Sequence, residues 1–456
     1  PDYAEAYNNL GNAFRELKKY PDAISCFNKA LKIKPNFAEA HNNMGILFKE
    51  QENLDEAISH YEKSISIKPD MPDSYNNIGN VLKDKGEFDK AISNLNKAIK
   101  IYPDFVEAHN NIGLTLQKQK KFLEAEKSYK KALKINSEFE EVKYNLGYLY
   151  LTIENFTEGW KWHEHRKAKN ILSKNLKLDE SKMWNGQQFN GSLIIFGEQG
   201  LGDQILFSSI LSDVLRIQSD ITVIIEDRLC SMFTRSFEKI KFLKHTDEVD
   251  HKKYDKYIFL GSLGKLFRKS IDSFPKNQKN FLFPKIAKSK EIKNYLNKLK
   301  NKKIGLSWQT DSVNNKKGRN IPLKFFEQIL KIKECNFIDL QYGDTKLERS
   351  EIRKNLNVDI FHIDKLDYKN DIEGLMGLID NCDLVITIPN FTTQLAAAMG
   401  VPVFVLLPFS SDWRWFVERK NSPWYPNIEI FRQKKLGEWK SIIKEIHNKI
   451  LNYDDI

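Results

Sequence analysis

The chain has 456 residues, of which 41% are hydrophobic, 29% charged and 12% aromatic, and it carries a formal net charge of +11. That length holds roughly two to four domains, and the apolar share is ample for packed cores, so wholesale disorder is excluded. No apolar run reaches the length of about 18 residues that a membrane-spanning helix needs, and Cys26, Cys230, Cys335 and Cys382 lie far apart without a C-x-x-C pair. A disulfide framework and a cysteine zinc site are therefore excluded, and a reducing, cytoplasmic setting is expected.

The charge is unevenly spread. Lys and Arg balance Asp and Glu over residues 1–150, so all of the +11 comes from 151–456, and residues 251–320 alone sum to +15. One reading is a lysine-rich solvated surface; the other is a partner that carries phosphate. Nucleic acid is not expected, because neither zinc-finger spacing nor an RNA-recognition signature is present.

In chain order, the first third repeats every 34 residues. Pro1, Pro35, Pro69 and Pro103 keep that period, with Ser137 in fifth place. So do Gly11, Gly45, Gly79, Gly113 and Gly147, then Ala23, Ala57, Ala91 and Ala125, then Phe27, Tyr61, Leu95 and Tyr129. This register resembles the tetratricopeptide repeat over about 160 residues. The small residues let paired helices approach, Phe27 fills the gap between them, and Pro35 is expected in the first turn of the next helix. Such pairs are stable only when stacked on neighbours. In the fifth copy Gly159, His163 and Arg166 replace the small and aromatic core residues and Trp160 and Trp162 appear, so the array is expected to end there by docking on the next domain. Pro1 stands at a repeat boundary, which leaves room for an earlier repeat.

One column is not needed for packing: Asn9, Asn43, Asn77, Asn111 and Asn145. On stacked helices it runs along one face, expected to be the concave groove. There each amide can pair with the N–H and C=O of an extended peptide, whatever its sequence. The alternative is that each Asn bonds the backbone of a neighbouring repeat. The asparagine column in the repeats of O-linked N-acetylglucosamine transferase is similar, and that resemblance implies a grip on acceptor polypeptide.

From Leu193 the pattern becomes α/β. Strands are predicted at 193–196, 221–225 and 257–260, then at 304–308, 337–340, 384–388 and 403–407, with helices over 203–216 and 390–399 between them. Strand–turn–helix repetition means parallel sheets covered by helices. Two such units leave a cleft at the carboxyl ends of their strands, with the lysine-rich stretch 285–303 as hinge. The expected boundaries are a repeat array over 1–170 (about five repeats, the last degenerate), a linker over 171–191, a first Rossmann-like unit over 192–300, and a second over 301–456.

Two segments carry chemistry. The turn Gly197-Glu198-Gln199-Gly200-Leu201-Gly202 joins a strand to a helix; its glycines allow close backbone approach, and the helix start offers free N–H groups to an anion. Asp203 follows, either as a helix cap or as a base for an acceptor hydroxyl. In the second unit Asn390-Phe391-Thr392-Thr393-Gln394 opens a helix after a buried strand. Its hydroxyls and N–H groups suit a diphosphate, against the alternative of plain capping by Asn390. Lys317, Arg319 and Arg414 are candidates to supply positive charge. No Asp-x-Asp pair is present to clamp a metal–diphosphate, His163 and His165 diverge on a helix, and there is no G-x-S-x-G elbow or ATP-binding loop.

Taken together, Trp184-Asn185-Gly186 with the Gly197–Asp203 segment, Gly305–Trp308, Arg319–Leu323, Leu340-Gln341, Asp412–Trp415, Ser422–Pro426 and Phe431–Gln433 resemble the heptosyltransferase-like glycosyltransferases of GT-B fold, here fused to tetratricopeptide repeats. The resemblance spans nearly the whole chain. It implies a metal-independent transferase without a cofactor, using a nucleotide-sugar as co-substrate, with Asp203 as base and residues 390–394 as the donor-diphosphate loop. Pro389 and Gln394 depart from it, since relatives commonly place Asp or Ser and His there, and glutamine donates a hydrogen bond without carrying charge. The leading expectation is transfer of a sugar to Ser or Thr of a protein held by the repeats. The alternatives are a non-catalytic repeat scaffold with a degenerate transferase domain, and a transferase acting on glycan or lipid precursors.

Overall fold

The computed structural model describes residues 3–276, 280–310 and 318–452, so Lys317 lies outside the described residues. The chain divides into two compact units, Pro1–Leu149 and Tyr150–Ile456.

The first unit is a tetratricopeptide superhelix. Its helices are α1 (Ala4–Glu16), α2 (Tyr20–Ile33), α3 (Ala38–Glu50), α4 (Leu54–Ile67), α5 (Pro72–Lys85), α6 (Phe88–Ile101), α7 (Val106–Lys118), α8 (Phe122–Ile135) and most of α9 (Glu140–Thr152). The periodic glycines are demanded by contact. A Cβ on Gly45 would sit 2.5 Å from the Tyr61 ring, one on Gly113 2.5 Å from Tyr129, and one on Gly11 2.6 Å from Phe27. The prolines fall differently from expectation: α3 starts at Ala38, so Pro35 stands in the turn just after α2, where it ends one helix and does not open the next.

A period absent from the sequence reading appears in the backbone. The turns inside the helix pairs each contain one left-handed residue, Lys18, Glu52, Gly86, Lys120 and Glu154, with φ between 58° and 82°. Only one of these is glycine, although a side chain in this conformation costs roughly 1 kcal/mol. Glu52→Gly is therefore expected to raise stability by about 0.5–1 kcal/mol, measured by denaturant unfolding.

The same unit holds a pair of histidines. His41 and His60 approach at 3.1 Å between their Nδ1 atoms, and Phe48 stacks on His60 with ring centroids 5.2 Å apart. Burial, helped by His41 and Lys63, lowers the His60 pKa to about 4. The unfolded chain takes up a proton near pH 6.5 that the folded chain refuses, so this contribution is complete above that pH and is lost as pH falls towards 4. Between pH 7.5 and 4.5 the wild type should lose about 1–2 kcal/mol more than His60→Gln, read from unfolding midpoints at the two pH values.

The second unit begins with α10 (Phe156–His163) and α11 (Lys167–Leu176), followed by two parallel sheets. The first sheet has β1 (Leu193–Phe196), β2 (Ile221–Ile225), β3 (Lys241–Lys244) and β4 (Lys256–Phe259) in the order β3-β2-β1-β4. Its helices are α12 (Leu201–Ser208), α13 (Leu211–Val214), α14 (Asp227–Ser236) and α15 (Leu263–Phe267). After α16 (Ile286–Leu296) the second sheet has β5 (Lys302–Ser307), β6 (Cys335–Asp339), β7 (Ile360–Phe361), β8 (Leu384–Thr387), β9 (Val403–Leu407) and β10 (Ile428–Arg432), in the order β10-β9-β8-β5-β6-β7. Between and after these strands come α17 (Glu327–Leu330), α18 (Lys346–Leu356), α19 (Ile372–Asp380), α20 (Phe391–Ala398) and α21 (Lys440–Leu451). Strand order reverses beside β1 and between β5 and β8, the two places where such sheets open a crevice at their carboxyl ends.

Three expectations are corrected. Residues 171–191 are not a free linker: Leu172, Leu176, Leu178 and Met183 pack on Ile194, Phe196, Tyr257 and Phe259, and the Trp184 N–H donates to the Tyr257 carbonyl at 2.8 Å. The stretch 285–303 is not an open hinge, because α16 buries Ile292 and Leu296, and Ile292 lies against Gly377 of α19. The expected helix over 203–216 breaks after Ser208, where the Ser208 and Ser209 hydroxyls bond back to the carbonyls of Gln204 and Leu206 and compete with the helix ladder.

Candidate functional site

The glycine turn between β1 and α12 is braced on all sides. Gly197 donates its N–H to Ile224 O at 2.8 Å, and its carbonyl lies 2.7 Å from His245 Nε2. A Cβ there would stand 2.9 Å from Ile224 O, so the close approach requires glycine. Gly200 caps α12, and Gly202 faces Gln394 of the second sheet's helix, with Gln394 Cγ 3.4 Å from where a Cβ would be. Gln204 closes the turn from below, donating to Gln199 O and accepting from the Glu226 N–H.

Glu198 is the turn's buried charge. Its side chain is 1% exposed and meets Arg166, 3% exposed, at 2.6 Å. Arg166 also reaches Glu164 and the Ser262 hydroxyl. Burial opposes the Glu164 charge, but Arg166 and Lys169 prevail and hold its carboxyl at about 2. His163 beside them is fully enclosed and kept neutral by desolvation. Trp160 anchors the same helix, with its Nε1 donating to Arg268 O at 2.7 Å and its ring against Trp413 and Phe207. The unusual residues of the fifth repeat thus serve the α/β unit: they fix the glycine turn. Nothing in the repeat register indicates Glu198 as their partner; the only signal is an arginine at a position that takes small residues in the other copies.

Asp203 stands in the first turn of α12, where its carboxylate pairs with Arg414 and does not close onto the helix's own N–H groups. Arg414 also meets Asp412 at 2.6 Å and lies over the Trp413 ring, and Arg319 reaches Asp412 at 3.8 Å. The structure therefore links Asp203, Arg414 and Arg319 through Asp412, a residue that the sequence reading noted within the Asp412–Trp415 segment without giving it a role.

The segment 390–394 is placed as expected but is used differently. Asn390 caps α20 by accepting from the Thr393 N–H at 3.2 Å, and its amide donates to the Ser307 hydroxyl at 2.8 Å and to Gln309 O. It ties the ends of β5 and β8 together at the reversal point of the sheet. The Thr393 hydroxyl turns back to Ile388 O within the capping box. The Thr392 hydroxyl is fully buried and has no hydrogen-bond partner among the described residues. Neither hydroxyl faces an incoming anion, which corrects the reading of both as diphosphate ligands. The N–H groups of Phe391 and Thr392 lie outside the cap and keep that capacity. Gln394 is 6% exposed, accepts from the Tyr425 hydroxyl at 2.8 Å, and lies against Gly202 of α12.

In the repeats, the asparagine column forms a ladder. Asn43 donates to Asn8 at 2.9 Å, Asn77 to Asn42 at 3.1 Å, Asn111 to Asn76 at 2.9 Å and Asn145 to Asn110 at 3.0 Å. The acceptors are a second, buried asparagine column one residue earlier. The expected alternative of bonding a neighbouring repeat holds in altered form, since the partner is a side chain and not backbone. Asn9 is exposed. Each of the others spends one of its two amide N–H donors on this bond, which leaves the second donor and the oxygen to offer a peptide.

Fold and site define a tetratricopeptide-repeat protein with a C-terminal α/β region of parallel sheets. Residues 4–37, 38–71 and 106–139 match the family model for the tetratricopeptide repeat, and 79–120 match a second TPR repeat model. Among curated proteins the chain is similar to Protein FlbA of Caulobacter vibrioides, 28% identical over 324 residues, covering 67% of this chain and 54% of FlbA. The chain thus spans about half the length of that relative. Among solved structures it is similar to pilF of Pseudomonas aeruginosa, at 21% identity, 38% of this chain, 84% of the other and a TM-score of 0.34. A TPR protein of Thermus thermophilus matches at 21% identity, 38% and 96% coverage and a TM-score of 0.34. Tetratricopeptide repeats commonly bind peptides or proteins. Among the described residues no helix is long and apolar enough to cross a membrane, and no group of three or more His, Cys, Asp or Glu stands ready to hold a metal ion.

Proposed function

We propose that this protein is a metal-independent glycosyltransferase that modifies Ser or Thr of a polypeptide held by its repeats. The observation that carries this reading is the pairing of Asp203, in the first turn of α12, with Arg414, which Asp412 links to Arg319. A nucleotide-sugar diphosphate would rest on the two arginines and the free N–H groups of α20, whose positive ends stabilise the leaving diphosphate as its charge develops. Asp203 would take the proton of the acceptor hydroxyl as its oxygen bonds to the anomeric carbon, while the bond from that carbon to the diphosphate oxygen breaks. The asparagine column would hold the acceptor by accepting its backbone N–H groups.

The rival is a protein-binding scaffold whose α/β unit binds no donor; the enclosed Thr392 and Thr393 hydroxyls and the engaged Gln394 favour it. Titration calorimetry with a panel of nucleotide-sugars in the presence of EDTA separates the two. Saturable binding of one of them, lost in Arg414→Ala, supports the transferase; no binding at millimolar concentration contradicts it.

A further inference from the structure

We propose that the donor's diphosphate and Asp203 compete for Arg414, so that the donor binds first and its arrival frees the base. This rests on the transferase reading of the same site.

Four charged side chains form a chain of alternating sign: Arg319, Asp412, Arg414, Asp203. Their side chains are 17%, 13%, 18% and 23% exposed, close enough to solvent for a ligand to reach and buried enough for each charge to need a partner. The chain is neutral as it stands. The short turn Trp413–Trp415 that carries Arg414 is capped by Asp412, which accepts the Arg414 N–H at 3.2 Å. Its guanidinium also rests over the Trp413 ring, 5.1 Å from the centroid. The two ends of its guanidinium fork meet the carboxylates of Asp412 and Asp203, so an incoming anion must displace one of them.

That contact disables the base. The carboxylate that would meet the acceptor hydroxyl is turned to the guanidinium of Arg414. A diphosphate brings more negative charge than one carboxylate and suits the planar fork of arginine. Once Arg414 turns to it, the Asp203 carboxylate is released to meet the acceptor hydroxyl. Asp412 also competes, holding both arginines against the incoming anion.

The test titrates inorganic pyrophosphate, UDP and GDP into the wild type, Asp203→Asn and Asp412→Asn at low ionic strength. Asparagine at 412 keeps the cap, and thermal melts check that each variant folds. Both variants should bind pyrophosphate about three- to tenfold more tightly than the wild type, and adding Arg414→Ala to Asp203→Asn should remove the gain. Equal or weaker binding in both variants, or no binding at all, overturns the competition. If pyrophosphate behaves as stated and no member of the nucleotide-sugar panel used for the calorimetry binds, the competition for Arg414 stands and the transferase reading falls.

Discussion

Arg166→Met is expected to cost about 3–5 kcal/mol and to loosen the glycine turn in the same stroke. The arginine is enclosed with Glu198 and Glu164, and one oxygen of Glu198 already has no hydrogen-bond partner among the described residues. Removing the guanidinium leaves a buried carboxylate whose desolvation nothing offsets. Glu198 sits five residues before Asp203, so moving outward to find solvent displaces the start of α12. Chemical denaturation should show the loss. A second change, Glu198→Gln, should recover much of it, because the neutral amide no longer needs the cation; a double-mutant cycle gives the coupling. If Arg166→Met melts like the wild type, the pair does not hold the turn.

Asp203→Asn is expected to lower the rate of sugar transfer by about 10²–10⁴-fold, the range associated with loss of a general base. Donor affinity should not fall with it, since asparagine removes a competitor for Arg414. The effect should therefore lie in kcat, with KM for the donor unchanged or lower. A fall in both affinity and rate would mean that Asp203 holds the donor and does not act as base.

How far the residues foretold this arrangement varied with the physics behind each feature. The repeat register was legible because every helix pair meets the same packing problem: Gly45 must clear Tyr61 as Gly113 must clear Tyr129. The central strands β1, β8 and β9 were legible as short apolar runs buried on both faces. The strands β3, β7 and β10 were not. Lys241–Lys244 and Ile428–Arg432 lie at sheet edges and mix charged with apolar residues, and Ile360–Phe361 is only two residues long. The asparagine column at Asn43 and Asn77 was visible, but its side-chain partners, Asn8 and Asn42, were not, because their equally regular column was not read from the sequence. At the candidate site the chemistry-bearing residues stood out singly. Their pairing did not, because Asp203 and Arg414 lie 211 positions apart and meet only once both sheets are formed. Thr392 and Thr393 looked like ligands from their place at a helix start; which way a hydroxyl turns there depends on the capping geometry of Asn390.

The central claim is sugar transfer to protein, and mass spectrometry of acceptor proteins tests it most directly. Candidate acceptors co-expressed with the wild-type chain should gain a glycosyl mass increment on Ser or Thr, and the same proteins co-expressed with Asp203→Ala should lack it. No increment with the wild type, or an equal increment with the variant, would contradict the account.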